Sequence, residues 1–344
     1  MKGNRLTGLA ASVVAVGMMI GAAATAQASG ANGTLVGAGS TLIAPLMTQW
    51  QNDFGNRDGI TVNYGAVGSG TGIAQISART VDFGASDAPL SAAQARACNG
   101  CVQMPWALTA TGIAFNLPGV SYLRVTGPIL AAIYTGQIKT WNAPQLVKIN
   151  PHTKLPALAI TPVYRSDGSG DTYAFTNYLS DISSSWRSQV GFGTAVSFPS
   201  GVGGKGNAGV KAIVSSTPGA IGYISASYII AARNLSAAAV QNAAGAYELP
   251  NLKNIANAAS EIKSVPANNE LHIVDPKAKY KTAYPISTFT YVIVPKVSPN
   301  AKNLTKFIEY ALTTGAAFGP QLDFPAVPAV VREAAFATAQ SLVT

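Results

Sequence analysis

The chain has 344 residues, with 23 lysines and arginines against 14 aspartates and glutamates, a formal net charge of +9 and a pI of about 9.5. Apolar residues make up 48% and charged residues only 11%, which excludes an acidic or disordered chain and leaves ample material for large cores. Two histidines and two cysteines are too few for a zinc centre or a multi-histidine metallohydrolase, whose sites use several such ligands each.

Lys2 and Arg5 form a basic start, residues 9–20 are apolar, and Ala24-Thr25-Ala26-Gln27-Ala28 offers two A-x-A cleavage patterns, so residues 1–28 read as a secretory signal peptide. A membrane anchor needs roughly 20 predominantly apolar residues, and glycine, serine and threonine dilute the stretch before the cleavage signal. Removing residues 1–28 would leave 316 residues with a charge of +7, about two domains' worth of chain. With no cysteine at the cleavage site to accept a lipid, the expected product is a soluble periplasmic or secreted protein. The chain then alternates short β-rich and helical runs, which predicts an α/β architecture with mainly parallel sheets. Residues 33–36 read as a first strand. Residues 41–54 read as a helix with Leu42, Leu46, Trp50 and Phe54 on one face. Residues 60–64 read as a second strand, and Ile73 opens a second helix. Residues 111–117 and 289–294 are strong strand candidates, each ending at a proline. The alanine- and asparagine-rich stretch 236–264 reads as loop and short helix. Leu304, Phe307, Ile308, Ala311 and Leu312 follow the helical pattern, with Gly315 where a C-cap would fall.

Three glycine-rich turns stand between β-like and helix-like runs: Gly37-Ala38-Gly39-Ser40-Thr41, Gly68-Ser69-Gly70-Thr71-Gly72 and Asp167-Gly168-Ser169-Gly170. Glycine lets backbone approach a ligand closely, and the N–H groups of the following helix turn point outward at a positive dipole end. One such turn is usually only a turn; three, with hydroxyls and an arginine, can enclose a small anion. Arg165 precedes the third turn. Its planar fork suits a tetrahedral oxyanion, and Asp167 can hold that fork from behind. A surface Arg–Asp pair of little energetic worth would carry the same spacing.

Other motifs fail. Gly204-Lys205 resembles the end of a phosphate-binding loop, but position 199 is proline and Gly206 replaces the hydroxyl residue that holds magnesium, so nucleotide hydrolysis is disfavoured. Gly84-Ala85-Ser86-Asp87-Ala88 approaches a nucleophile elbow but ends in alanine, and only His152 and His272 could serve as its base. Cys98-Asn99-Gly100-Cys101 has redox spacing, yet an exported chain favours a structural disulfide there, and the flanks read as helix end followed by strand. Lysines are scattered, which argues against nucleic acid.

Taken in chain order, a set of segments resembles the periplasmic phosphate-binding proteins that feed ABC phosphate importers. The segments are the first glycine turn, Val81-Asp82-Phe83-Gly84-Ala85-Ser86-Asp87-Ala88-Pro89-Leu90, Ile133-Tyr134-Thr135-Gly136-Gln137-Ile138-Lys139-Thr140-Trp141-Asn142, Arg165-Ser166-Asp167-Gly168-Ser169-Gly170, Gly203-Gly204-Lys205-Gly206-Asn207 and Pro218-Gly219-Ala220-Ile221-Gly222-Tyr223. The resemblance implies a two-lobed α/β periplasmic binding protein, type II-like, whose hinge is two crossover segments near 111–116 and 285–290. Lobe I would comprise 29–112 and 286–344, and lobe II 113–285. It implies a monomer without cofactor, metal or catalysis that closes on phosphate and docks on a membrane permease. By motif position, Thr41 and Leu42 would donate from the first turn and Ser69 from the second. Asp87 would accept, Arg165 would donate its fork, and Ser169, Gly170 and Asp171 would donate from the third turn. Two positions depart from the family. Leu42 replaces a common aromatic, harmlessly for a backbone donor. Asp171 replaces a hydroxyl residue, so a donor is lost and a carboxylate either stands near the anion or turns away to favour the helix N-terminus, worth about 0.3–1 kcal/mol.

Asp87 bears on which anion binds. A dry carboxylate accepts but cannot donate, so it matches an oxyanion that still carries a proton and is left facing a bare oxygen by one that does not. Such a mismatch discriminates by factors of about 10⁴ or more, which predicts phosphate, with arsenate as impostor and sulfate rejected. The competing readings are an exported phosphohydrolase using the same cradle, a binder retuned to another oxyanion, and a polyanion-binding surface protein.

Overall fold

The computed structural model describes residues 33–232 and 235–344; the predicted signal peptide lies outside the described residues. The chain runs β1 (Thr34–Gly39), α1 (Ala44–Asp58), β2 (Thr61–Ala66), α2 (Ser69–Ser77), β3 (Phe83–Ser86), α3 (Ala92–Ala97) and a long β4 (Cys101–Phe115). It continues through β5 (Arg124–Val125), α4 (Gly127–Tyr134), α5 (Pro144–Ile149), β6 (Thr161–Arg165), α6 (Gly170–Ile182), α7 (Ser184–Gln189), β7 (Val202–Gly204), α8 (Gly206–Ser216), β8 (Ala220–Ser225) and α9 (Ala226–Ile230). After β9 (Ser236–Ala237), β10 (Ala239–Gln241), β11 (Tyr247–Glu248) and α10 (Leu252–Ala259), it returns through β12 (Ser287–Pro295), α11 (Ala301–Leu312) and α12 (Ala329–Gln340).

The main sheet has the order β2-β1-β3-β12-β4-β8-β6-β7, with β9 also on β4. Its two ends are parallel, β2-β1-β3 and β8-β6-β7. The middle is not: β12 runs antiparallel to β3 and β4, and β4 antiparallel to β8. The expectation of mainly parallel sheets therefore holds for the flanks and fails at the centre, where a long strand runs out and another returns. Every residue of β12 is buried, as in a strand covered on both faces.

β4 joins the two halves. Residues 101–110 pair with β12, and residues 111–115 pair with β8. The two predicted crossovers meet here: the Thr111 N–H donates to the Ile286 carbonyl at 2.9 Å, and the Tyr284 hydroxyl donates to the Thr111 carbonyl at 3.1 Å. The apolar side chains gather into two main cores. One draws on residues 35–107 and 292–342, around Trp50, Phe83, Trp106 and Phe307; the other draws on residues 108–291, around Tyr134, Trp141, Phe175 and Tyr223, with Val331 added.

Several predicted boundaries shift. α1 begins at Ala44 and runs to Asp58, where Gly59 at φ 65° ends it with an N–H to the Gly55 carbonyl, a left-handed closure that favours glycine. Leu42 therefore precedes the helix, although it is buried with Leu46, Trp50 and Phe54 as expected. α2 begins at Ser69 rather than Ile73, so the second glycine turn is itself the first turn of the helix. β4 reaches back through Pro105 to Cys101, and its ladder with β12 shifts register between Thr290 and Tyr291, beside that proline, the kind of irregularity where a sheet tolerates proline. α11 ends at Leu312 with Thr313 as its C-cap. Gly315 does not cap it; its carbonyl accepts from Trp50 Nε1 at 2.8 Å. The stretch 236–264 holds three short strands besides its helix; strands of two or three residues are too short to show a periodicity.

Candidate functional site

The site starts where β6 hands over to α6. Ser169 is the N-cap of α6, and its hydroxyl accepts from the Asp171 and Thr172 N–H groups at 3.1 and 3.4 Å, satisfying two of the donors a helix start leaves open. Arg165, the last residue of β6, is 5% exposed. Its guanidinium donates to both oxygens of Asp167, Nε at 2.8 Å and Nη2 at 2.6 Å, a two-pronged pairing that fixes the plane of the fork. Nη1 donates to Asp171 Oδ2 at 3.0 Å, so among the described residues one N–H on each terminal nitrogen is left for another acceptor. Burial opposes ionisation of Asp167, but the Arg165 fork overrides it and holds the carboxyl below its ordinary value. The backbone of Arg165 is held as well, its N–H donating to the Tyr223 hydroxyl at 3.0 Å.

Asp87 enters from the turn after β3 and is 1% exposed. Its Oδ2 accepts from the Ser40 hydroxyl at 2.5 Å and the Ser69 hydroxyl at 3.4 Å, and its Oδ1 from the Thr290 hydroxyl at 3.0 Å. Burial, then the neighbouring Asp171 charge, push its carboxyl up to about 7 against the Ser40 and Thr290 hydroxyls and the Arg165 charge. Ser69 also spans the gap between halves, accepting from the Gly170 N–H at 3.1 Å.

Asp171 points inward. It is wholly buried; Oδ1 accepts from the Thr111 hydroxyl at 2.9 Å, and Oδ2 from Asn207 Nδ2 at 2.7 Å as well as from Arg165. Burial raises its pKa, while Arg165, Asn207 and Thr111 work the other way. Asn207 is shared: its Nδ2 and backbone N–H both donate to Thr41 Oγ1, at 2.9 and 3.2 Å. The alternative in which Asp171 turns away from the site is therefore not the one the chain adopts.

These contacts tie one half of the molecule to the other. The Gly70 N–H donates to the Gly168 carbonyl at 3.0 Å, and the Tyr228 hydroxyl to the Thr41 carbonyl at 3.2 Å. A Cβ on Gly170 would lie 2.3 Å from the Asp87 Cβ, so glycine is what allows the α6 N-terminus to reach Asp87. An adjoining cavity of about 300 Å³ is lined by Thr41 and Val67 on one side and Asp167, Lys205, Gly206 and Tyr228 on the other.

Thr41, Ser69, Asp87, Arg165, Ser169, Gly170 and Asp171 thus come together, and the Leu42 N–H beside them donates to Ser40 Oγ at 3.0 Å. Sequence reasoning missed Ser40, Thr111, Asn207 and Thr290, each bonded directly to a predicted site residue. Asn207 had a signal, lying at the end of the Gly-rich segment 203–207; Thr111 and Thr290 lay in the crossover segments and carried none. The motifs set aside play other parts. Ser86 donates its hydroxyl to the Ala88 carbonyl at 2.6 Å, and His272 lies 3.3 Å from Asn177 and 3.6 Å from Asp181. Cys98 and Cys101 are disulfide-bonded, between the end of α3 and the start of β4 as expected.

Residues 24–314 match a family model described as a PBP superfamily domain. The phosphate-binding protein PstS of Xylella fastidiosa (strain Temecula1) is 38% identical over 297 residues, covering 85% of this chain and 81% of its own; PstS of Pasteurella multocida is 36% identical over 301 residues, covering 86% of each. A crystal structure of a putative phosphate ABC transporter substrate-binding protein with bound phosphate from Clostridium perfringens shares the fold, with a TM-score of 0.63 at 20% identity, covering 86% of this chain and all of that one. With a superfamily match over most of its length and relatives of this identity, the chain belongs to the PBP superfamily and, within it, to the PstS family of phosphate-binding proteins.

Proposed function

We propose that this chain is an exported, non-enzymatic receptor that binds inorganic phosphate between two lobes and delivers it to the permease of an ABC importer. One observation carries the reading: a guanidinium fork, a buried carboxylate, two hydroxyls and a helix N-terminus, brought from both halves of the molecule, converge on a single buried place. Such a place suits a tetrahedral anion that donates at least one hydrogen bond and accepts many. Thr41, Leu42, Ser69, Arg165, Ser169, Gly170 and the Asp171 backbone are the donors in this reading, and Asp87 is the acceptor for the ligand's proton. The lobes are 29–112 with 286–344, and 113–285; the division of the two apolar cores near residues 107 and 292 supports those boundaries to within a few residues. The names of the PstS relatives support the choice of phosphate.

Calorimetric titration of phosphate-stripped protein tests this. Phosphate is expected to bind with one-to-one stoichiometry, and sulfate about 10⁴-fold or more weakly, because it leaves Asp87 facing a bare oxygen. Equal affinity for the two anions would overturn the reading. Release of phosphate from a simple ester at an enzymatic rate would restore the hydrolase alternative.

A further inference from the structure

Resting on the reading of the site as a phosphate site, we propose that Asp171 makes it select the doubly protonated, monovalent form of phosphate over the singly protonated dianion. Asp87 and Asp171 are both fully buried, on opposite sides of the seam between the lobes. They are near neighbours: Gly170, adjacent to Asp171 in the chain, would place a Cβ 2.3 Å from the Asp87 Cβ. Asp171 is also linked to two predicted ligand groups, directly to Arg165 Nη1 at 3.0 Å and, by two hydrogen bonds through Asn207, to Thr41 Oγ1.

An ionised carboxylate only accepts. Where a hydroxyl at this position would donate to a ligand oxygen, Asp171 offers another lone pair and takes up an Arg165 N–H and the Asn207 amide that would otherwise face the anion. A dianion with one acid proton can satisfy Asp87 and then sets a bare, charged oxygen against Asp171, the costly unmatched arrangement. A monoanion with two acid protons satisfies both carboxylates. If the second proton resides on a carboxylate instead of the ligand, the complex holds the same number of protons and the pH dependence is unchanged. The upward displacement of Asp87, caused first by burial and next by Asp171, runs in the same direction.

The charged and titratable groups around Asp171 are few. Arg165 of β6 pairs with it, and Asp167 follows on the next turn. Asp171 acts electrostatically on Tyr223 of β8 and Tyr228 of α9, and Asp87 on Tyr64 of β2. Burial raises all three phenols above their ordinary value, so they stay neutral throughout the useful range. Lys205 lines the neighbouring cavity with Asp167.

The test is titration of the full mature chain with inorganic phosphate from about pH 6 to about pH 9. The wild type is expected to lose about tenfold in affinity per pH unit above neutrality, as the monoanion disappears. Asp171→Thr and the isosteric Asp171→Asn are expected to flatten that slope and to bind more tightly than wild type at the alkaline end. If Asp171 merely held Arg165 in place, both variants would weaken binding equally at every pH with the slope retained, and the proposal would fail. A wild-type affinity that is flat or rises with pH overturns the proposal by itself, even if neither variant folds. Failure to bind phosphate at any pH would instead overturn the phosphate reading beneath it.

Discussion

Three carboxylates, Asp87, Asp167 and Asp171, surround one guanidinium, that of Arg165, in a region where Asp87 and Asp171 have no access to water. The burden on these groups is unequal. Asp167 is only half-buried and is held ionised by Arg165; Asp87 receives hydroxyls and a weaker pull from the Arg165 charge, and burial moves it from 3.8 to about 7. An acid whose folded pKa is raised stabilises the fold fully below its unfolded value and loses that contribution as pH rises through the folded one. The phosphate-free protein is therefore expected to lose thermal stability between about pH 4 and about pH 7, with Asp171 and the raised Asp323 acting in the same direction. Thermal unfolding across this window checks it: Asp87→Asn is expected to show a shallower fall, and an unchanged slope would show that Asp87 is not the group responsible. At this scale the sequence was informative about groups that declare themselves by type, such as Arg165 beside Asp167. It was silent about where Asp171 points, because that depends on Thr111 and Asn207, which are 60 and 36 residues away along the chain.

The elements that build the site are strand-to-turn-to-helix units, and the glycines in them matter for how closely two such units approach. Gly170 begins α6 directly against Asp87. Gly170→Ala would place a methyl group 2.3 Å from the Asp87 Cβ, and neither backbone can yield without separating the halves of the molecule. The expected outcome is a folded protein with normal circular dichroism whose affinity for phosphate falls by about a hundredfold or more, the scale of a misplaced binding group. Wild-type affinity in that variant would show that the α6 N-terminus is not part of the ligand's enclosure. Sequence periodicity located α1 and α11 because each buries a continuous apolar face. It misplaced the start of α2, since Ser69, Gly70 and Thr71 are poor helix formers that are helical here because the Ser69 hydroxyl and the Gly70 N–H make contacts across the site. It also misjudged Gly315, whose role is to fit beneath Trp50 and not to end a helix.

The described residues form two main apolar cores strung on β4 and β12, with the candidate site at the seam. The alternation of short strands and helices was enough to indicate an α/β fold, and the order of the motifs indicated two lobes. The antiparallel centre was not legible, because the direction in which a buried strand runs leaves no mark on its composition; β4 and β12 read as apolar runs whichever way they pair. The seam is crossed by direct hydrogen bonds from Gly70, Gly170, Asn207 and Tyr228. An anion bound there would bridge the same groups and couple its own binding to the approach of the lobes. The most direct measurement of this central claim is the position of phosphate in crystals of the phosphate complex. The account predicts phosphorus between the lobes, with its oxygens within hydrogen-bonding distance of the Arg165 guanidinium, the Ser69 hydroxyl and the Gly170 N–H, and one oxygen facing Asp87. Phosphate found on surface lysines, with Arg165 bonded only to Asp167 and Asp171, would contradict it.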